Sequence, residues 1–123
     1  MKFNQQLKEE IEKFKDYVIV VEGKKDVNAL KSYGFEKVYT IHQNGTSIKE
    51  RAEQIMLYMD KKDKVCILTD LDRRGRQLYM LLKTIFQELG ARLDSSLRGI
   101  FIKAKISHIE GFDTFMRKVE NIN

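Results

Sequence analysis

The stretch Tyr17-Val18-Ile19-Val20-Val21 constrains the fold more than any other part of the chain. Its side chains are apolar without interruption, and most are β-branched, which favours an extended backbone. Successive strand residues point to opposite faces, so this strand has no face fit for water. Such a strand requires cover on both sides, the condition of a parallel sheet between layers of helix. The run stops abruptly at Glu22-Gly23. Charge therefore meets core at a fixed point of the backbone.

Three further short runs read as strands: Val38-Tyr39-Thr40-Ile41, Val65-Cys66-Ile67-Leu68 and Ile100-Phe101-Ile102. Between them the apolar residues change to helical spacing. Phe3, Leu7, Ile11 and Phe14 form one face of an N-terminal helix expected over about 3–15. Val27, Leu30 and Tyr33 mark a short helix, with Gly34 as its left-handed C-cap. Ser47-Ile48-Lys49-Glu50 has the form of a capping box, and Ile48, Ala52, Ile55 and Met59 continue from it as a stripe. Leu78, Leu81, Leu82, Ile85, Phe86 and Leu89 give the clearest helical pattern, closed by Gly90. Phe112, Phe115, Met116 and Val119 predict a C-terminal helix over about 112–121, starting near Asp113. Strands alternating with helices of this length predict a three-layer α/β domain with a four-stranded parallel sheet and right-handed crossovers. The 123 residues suit one domain, with no repeat, linker or low-complexity segment.

Composition excludes several classes. No apolar run approaches the roughly 20 residues of a membrane span. The start, MKFNQQLKEE, has no signal-peptide core, so a cytoplasmic location is expected. A single cysteine, Cys66, allows no internal disulfide, and its place in the apolar run KVCIL predicts a buried, inert thiol. The balance of 23 basic and 18 acidic residues, a net charge of +5, is mildly basic and compatible with phosphate-backbone partners without demanding them.

In parallel sheets the ligand site lies at the carboxyl ends of the strands. Here those ends lead into Glu22-Gly23, into His42-Gln43-Asn44-Gly45, into Asp70-Leu71-Asp72, and, beyond the expected fourth strand, toward His108 and Glu110. Asp70 and Asp72 follow a fully apolar strand, and carboxylates packed this closely repel unless a cation intervenes. Oxygen ligands without a cysteine cluster favour Mg²⁺, or Mn²⁺, over zinc. Arg73-Arg74-Gly75-Arg76 then falls on the first turn of the next helix. Cations there oppose the helix dipole at a cost of roughly 0.3–1 kcal/mol each, so they either splay into solvent or meet an anion. Beside a metal-binding pair, that anion is a phosphate. Gly23-Lys24 lacks the spacing of a Walker loop, and no G-x-G-x-x-G occurs, so a nucleotide cradle is rejected. Asn44-Gly45 reads as a tight turn that can also aim backbone amides at the site.

The order VIVVEGKKD, QNG and ILTDLDRRG resembles the Toprim family, the module shared by topoisomerases, bacterial primases, old-family nucleases and some recombination proteins. The likeness runs from about Tyr17 to Ile102. It is strongest to small single-domain Toprim proteins and to the Toprim part of the ribonuclease that matures 5S ribosomal RNA. The resemblance implies a Rossmann-like Toprim fold over residues 1–123, with the terminal helices as extensions. It makes Glu22 the candidate general acid/base and a candidate ligand, and Asp70 and Asp72 the Mg²⁺ ligands. Lys24, Asn44, Arg73, Arg74 and Arg76 are the candidate substrate-binding residues. Topoisomerase versions often carry a third aspartate where this chain has Arg74, and no tyrosine-bearing cleavage domain is present, so strand passage is not expected of this chain.

Three functions compete on these grounds. The first is a magnesium-dependent nuclease of RNA or DNA. The second is a non-catalytic module that grips nucleic acid or recruits proteins that supply a cleft. The third is a receiver-type phosphoacceptor with Asp70 as the acceptor, disfavoured because Glu22 is followed by glycine where receivers have an acidic pair.

Overall fold

The computed structural model describes residues 2–122. The elements in chain order are α1 (Lys2–Glu12), β1 (Val18–Val21), α2 (Lys24–Lys31), β2 (Val38–Thr40), α3 (Ile48–Leu57), β3 (Lys64–Ile67), α4 (Arg73–Glu88), β4 (Arg92–Leu93), α5 (Ser96–Lys103) and α6 (Ile109–Ile122). The four strands form one sheet in the order β2-β1-β3-β4, every neighbour parallel. Val20 stands opposite both Tyr39 of β2 and Ile67 of β3, so β1 and β3 are the central strands.

Alternation along β1 and β3 sorts the core into two faces. Val18, Val20, Val65 and Ile67 pack with Ala52 and Ile55 of α3 and with Leu82 and Phe86 of α4. Ile19, Val21, Cys66 and Leu68 pack on the other face with α1, α2, α5 and α6, through residues such as Ile11, Leu30, Leu97 and Phe112. The uninterrupted apolar run of β1 is thus explained: all four of its residues are buried. The Ser47 hydroxyl accepts the Glu50 N–H and caps α3 as expected. Gly34 and Gly90 both take the left-handed conformation.

The fourth strand is not where the apolar triplet placed it. Ile100-Phe101-Ile102 lies inside α5, and the sheet is completed by Arg92-Leu93, whose backbone pairs with Lys64 and Val65. A three-residue apolar run carries no period of its own. In α5, Leu97, Ile100 and Phe101 fall on one helical face and are buried, while Ile102 is 59% exposed. The edge strand is short and holds a charged residue, as expected of an exposed sheet edge. The terminal helices also differ slightly from expectation: α1 ends at Glu12, and α6 starts at Ile109, before Asp113. No described helix is long and apolar enough to cross a membrane.

Candidate metal centre

Glu22 leaves the carboxyl end of β1, and Asp70 follows that of β3, three residues beyond the strand. The two ends are joined side chain to backbone: the Asp70 N–H donates to Glu22 Oε2 at 2.9 Å. Asp72 is the N-cap of α4, and its Oδ1 accepts the Gly75 N–H at 2.7 Å. That bond answers the question posed by the arginines that follow. A capping carboxylate at a helix start offsets cations on the first turn, and Arg73, Arg74 and Arg76 stand exposed to solvent there.

Gly75 shows how tightly the loop closes. A Cβ on this residue would lie 2.0 Å from the carbonyl oxygen of Asp70, so only glycine lets α4 start against the Asp70 backbone. The Thr69 hydroxyl donates to the Gly75 carbonyl at 2.6 Å from within the core. A further clamp comes from Arg98 of α5, 7% exposed. Its Nη1 donates to the Thr69 carbonyl at 2.6 Å and its Nη2 to the Asp70 carbonyl at 3.2 Å, with the guanidinium 4.4 Å from the centre of the Tyr79 ring. Burial pulls the Arg98 pKa below its ordinary value, opposed by Tyr79, Glu22 and Asp70. An arginine remains charged despite such a shift. Arg98 therefore brings a buried positive charge to the back of the acidic loop.

His108 reaches the same loop from another direction. Its Nδ1 lies 3.0 Å from Asp70 Oδ2. Asp70, Asp72 and His108 each offer a ligand atom, and these atoms lie within 4.8 Å of one another. Two carboxylates and an imidazole grouped in this way could hold one divalent cation. Among the described residues, Glu22 is not part of this triad; its carboxylate is engaged by the Asp70 amide. Lys24 is exposed at the start of α2, and Asn44 is exposed in the turn Gln43–Thr46, where Gly45 has φ +74°. The structure thus brings Asp70 and Asp72 together, with Glu22 against the Asp70 backbone. It leaves the basic residues and Asn44 on the surface around them.

Sequence reasoning missed Arg98 and gave His108 only as a polar residue past a strand. An arginine within the apolar stretch Leu97-Arg98-Gly99-Ile100-Phe101 is a local anomaly that could have marked Arg98 as a buried group. His108 carried no comparable signal, because its placement depends on α5 being a helix.

Comparison with known proteins gives a consistent picture. The Toprim domain model matches residues 17–116. A UPF0292 protein of Methanosarcina barkeri is 31% identical over 107 residues, covering 83% of this chain and 71% of that protein. Another, of Methanocaldococcus jannaschii, is 32% identical over 103 residues, covering 81% and 78%. Ribonuclease M5 of Mesoplasma florum is 34% identical over 61 residues, 50% of this chain and 35% of the ribonuclease. A solved protein structure from Aquifex aeolicus superposes with a TM-score of 0.69 at 29% identity, covering 86% of this chain and 94% of that one.

Proposed function

This chain belongs to the Toprim family, and from that premise we propose that it is a protein that uses a divalent cation, Mg²⁺ or Mn²⁺, to cleave phosphodiester bonds in RNA or DNA. The observation that carries the proposal is the junction of Glu22 with the Asp70 amide at 2.9 Å, which sets a carboxylate from β1 beside the Asp70–Asp72 loop of β3. A divalent cation held by Asp70 and Asp72 would neutralise the phosphate and stabilise the charge that develops on displacement. Glu22 is placed to carry a proton at the attacking or leaving oxygen. Arg73, Arg74 and Arg76, exposed at the start of α4, supply cations for the phosphates on either side, with Lys24 and Asn44 at the neighbouring strand ends. The similarity to ribonuclease M5 over half of this chain supports RNA as one substrate class.

A second reading has its own support. The centre is open: the side chains of His108 and Asp70 are 50% and 30% exposed. An open acidic loop excludes water only when something else closes over it. The same residues then serve a module that binds nucleic acid and acts with a protein that completes the cleft.

Single-turnover cleavage of labelled single- and double-stranded RNA and DNA, with Mg²⁺, Mn²⁺ or EDTA, separates the two. Cleavage by the parent that EDTA abolishes, reduced by on the order of 10²–10⁴ in Glu22→Gln with metal affinity kept, is expected of a proton shuttle. Binding without turnover under every condition selects the module.

A further inference from the structure

His108 is delivered to the acidic loop by a specific piece of backbone. α5 ends in a closure in which the Ile106 N–H donates to the Phe101 carbonyl at 2.9 Å and the Lys105 N–H to Ile102 at 3.1 Å. Lys105 takes φ 57°, a left-handed conformation unusual for a side chain of this kind. Ile106 is then buried, anchoring the turn in the core. The next residue, Ser107, accepts through its carbonyl the N–H of Leu71, the residue between the two aspartates, at 2.8 Å. The His108 carbonyl in turn accepts the Phe112 N–H at the start of α6. The backbone on both sides of His108 is therefore fixed, and on one side it is fixed to the acidic loop itself.

Resting on the reading of Asp70 and Asp72 as metal ligands, we propose that His108 is a third, nitrogen ligand, and that it turns the preference of this centre from Mg²⁺ toward a first-row transition cation such as Mn²⁺. The spacing fits. Neighbouring ligands of an octahedral ion with bonds of about 2.1 Å stand about 3.0 Å apart, and His108 Nδ1 lies 3.0 Å from Asp70 Oδ2. All three candidate ligand atoms fall within 4.8 Å of one another. The chemistry fits as well. Mg²⁺ takes oxygen ligands and keeps its waters, whereas imidazole suits the first-row transition ions. A site of two carboxylates alone would favour Mg²⁺ at cellular concentrations; adding imidazole from outside the acidic loop moves the balance. The segment that carries it, the turn between α5 and α6, is separate in sequence from the strand ends that supply Glu22, Asp70 and Asp72.

The test uses the full chain and the metals alone. Mn²⁺ is titrated by electron paramagnetic resonance with Mg²⁺ as competitor, and bound Mn²⁺ is examined by electron spin-echo modulation, which detects a coordinated imidazole nitrogen. The parent is expected to bind Mn²⁺ at least tenfold more tightly than Mg²⁺ and to show the nitrogen modulation. In His108→Ala the modulation should vanish and Mn²⁺ affinity fall by on the order of tenfold, with Mg²⁺ affinity changing less than about twofold. The nitrogen signature is read on the unaltered protein, so the proposal does not depend on the variant folding. Bound Mn²⁺ without nitrogen modulation, lost on Asp70→Asn plus Asp72→Asn, would overturn the role of His108 and leave the aspartate site standing. Binding that survives the double aspartate change would overturn both.

Discussion

The carboxyl ends of β2 and β3 lie at the same edge of the sheet, and each is held by a buried arginine, yet they are built on different terms. At β2 the Arg51 Nε donates to the Thr40 carbonyl at 2.7 Å, Nη1 reaches Gln54, and the chain then runs into an exposed turn at Gln43–Thr46. At β3 every residue from Thr69 to Asp72 makes a bond beyond the strand. Thr69 holds Gly75 and Arg98; the Asp70 amide holds Glu22; the Leu71 amide holds Ser107; Asp72 caps α4. A latch keeps β2 in place, whereas the end of β3 is determined from four directions. Geometry that must be correct within about 0.5 Å needs the second kind of construction. The proposed metal centre thus stands on the more heavily braced of the two strand ends.

The sharpest way to break that comparison is to disturb one glycine at each end. Ala at position 75 would meet the Asp70 carbonyl carbon and oxygen, so the acidic loop or the start of α4 must move. Gly75→Ala should cost about 3 kcal/mol and lose metal affinity together with stability. Gly45 has open space around its Cβ position but φ +74°, so Gly45→Ala should cost only about 1 kcal/mol, with metal affinity unchanged. Urea unfolding and metal titration of the two variants make the measurement. Equal costs, or a Gly75→Ala that binds metal normally, would show that the β3 end is no more constrained than the β2 end.

A smaller contrast is expected between the arginines. Arg98→Met removes the donors to two buried-side carbonyls and the contact with Tyr79, and should destabilise by about 2–3 kcal/mol. Arg51→Met removes one strong bond to a strand carbonyl and one to Gln54, for about 1 kcal/mol. If Arg51→Met proves the costlier change in denaturant midpoints, the β2 latch matters more to the fold than its geometry implies.

The same two strand ends show what was legible in the sequence. β1 and β3 announced themselves because buried strands of a covered sheet need an uninterrupted apolar run, and their following carboxylates could be placed at once by the strand-end rule. The Toprim resemblance read from VIVVEG and ILTDLDRRG was borne out by the match over residues 17–116. β4 was not legible, because a two-residue edge strand containing Arg92 has no pattern, while Ile100-Phe101-Ile102 offered an apolar triplet that a helix uses equally well. That one misreading also hid part of the centre. Arg98 points into the acidic loop only from a helix, and His108 arrives there only through the left-handed turn at Lys105.

The smallest effect concerns Cys66, at the middle of β3, and is best seen as a probe of how that strand opens. Burial pushes its thiol up to about 12, helped by Asp94 and opposed by Lys64. A raised folded value means that the neutral thiol is the form the core accepts. The associated stability is complete below the unfolded value near 9, and declines only as pH rises from there through about 12. At neutral pH the thiol should therefore add no pH dependence, and a thiol reagent should label the protein no faster than it unfolds. If the β3 end is locked as its bonding implies, labelling of Gly45→Ala should accelerate only in proportion to its small loss of stability, and labelling of Gly75→Ala by on the order of a hundredfold, following its larger one. Rapid labelling of the parent at pH 7 would mean that β3 opens locally, and the contrast between the two strand ends would have to be given up.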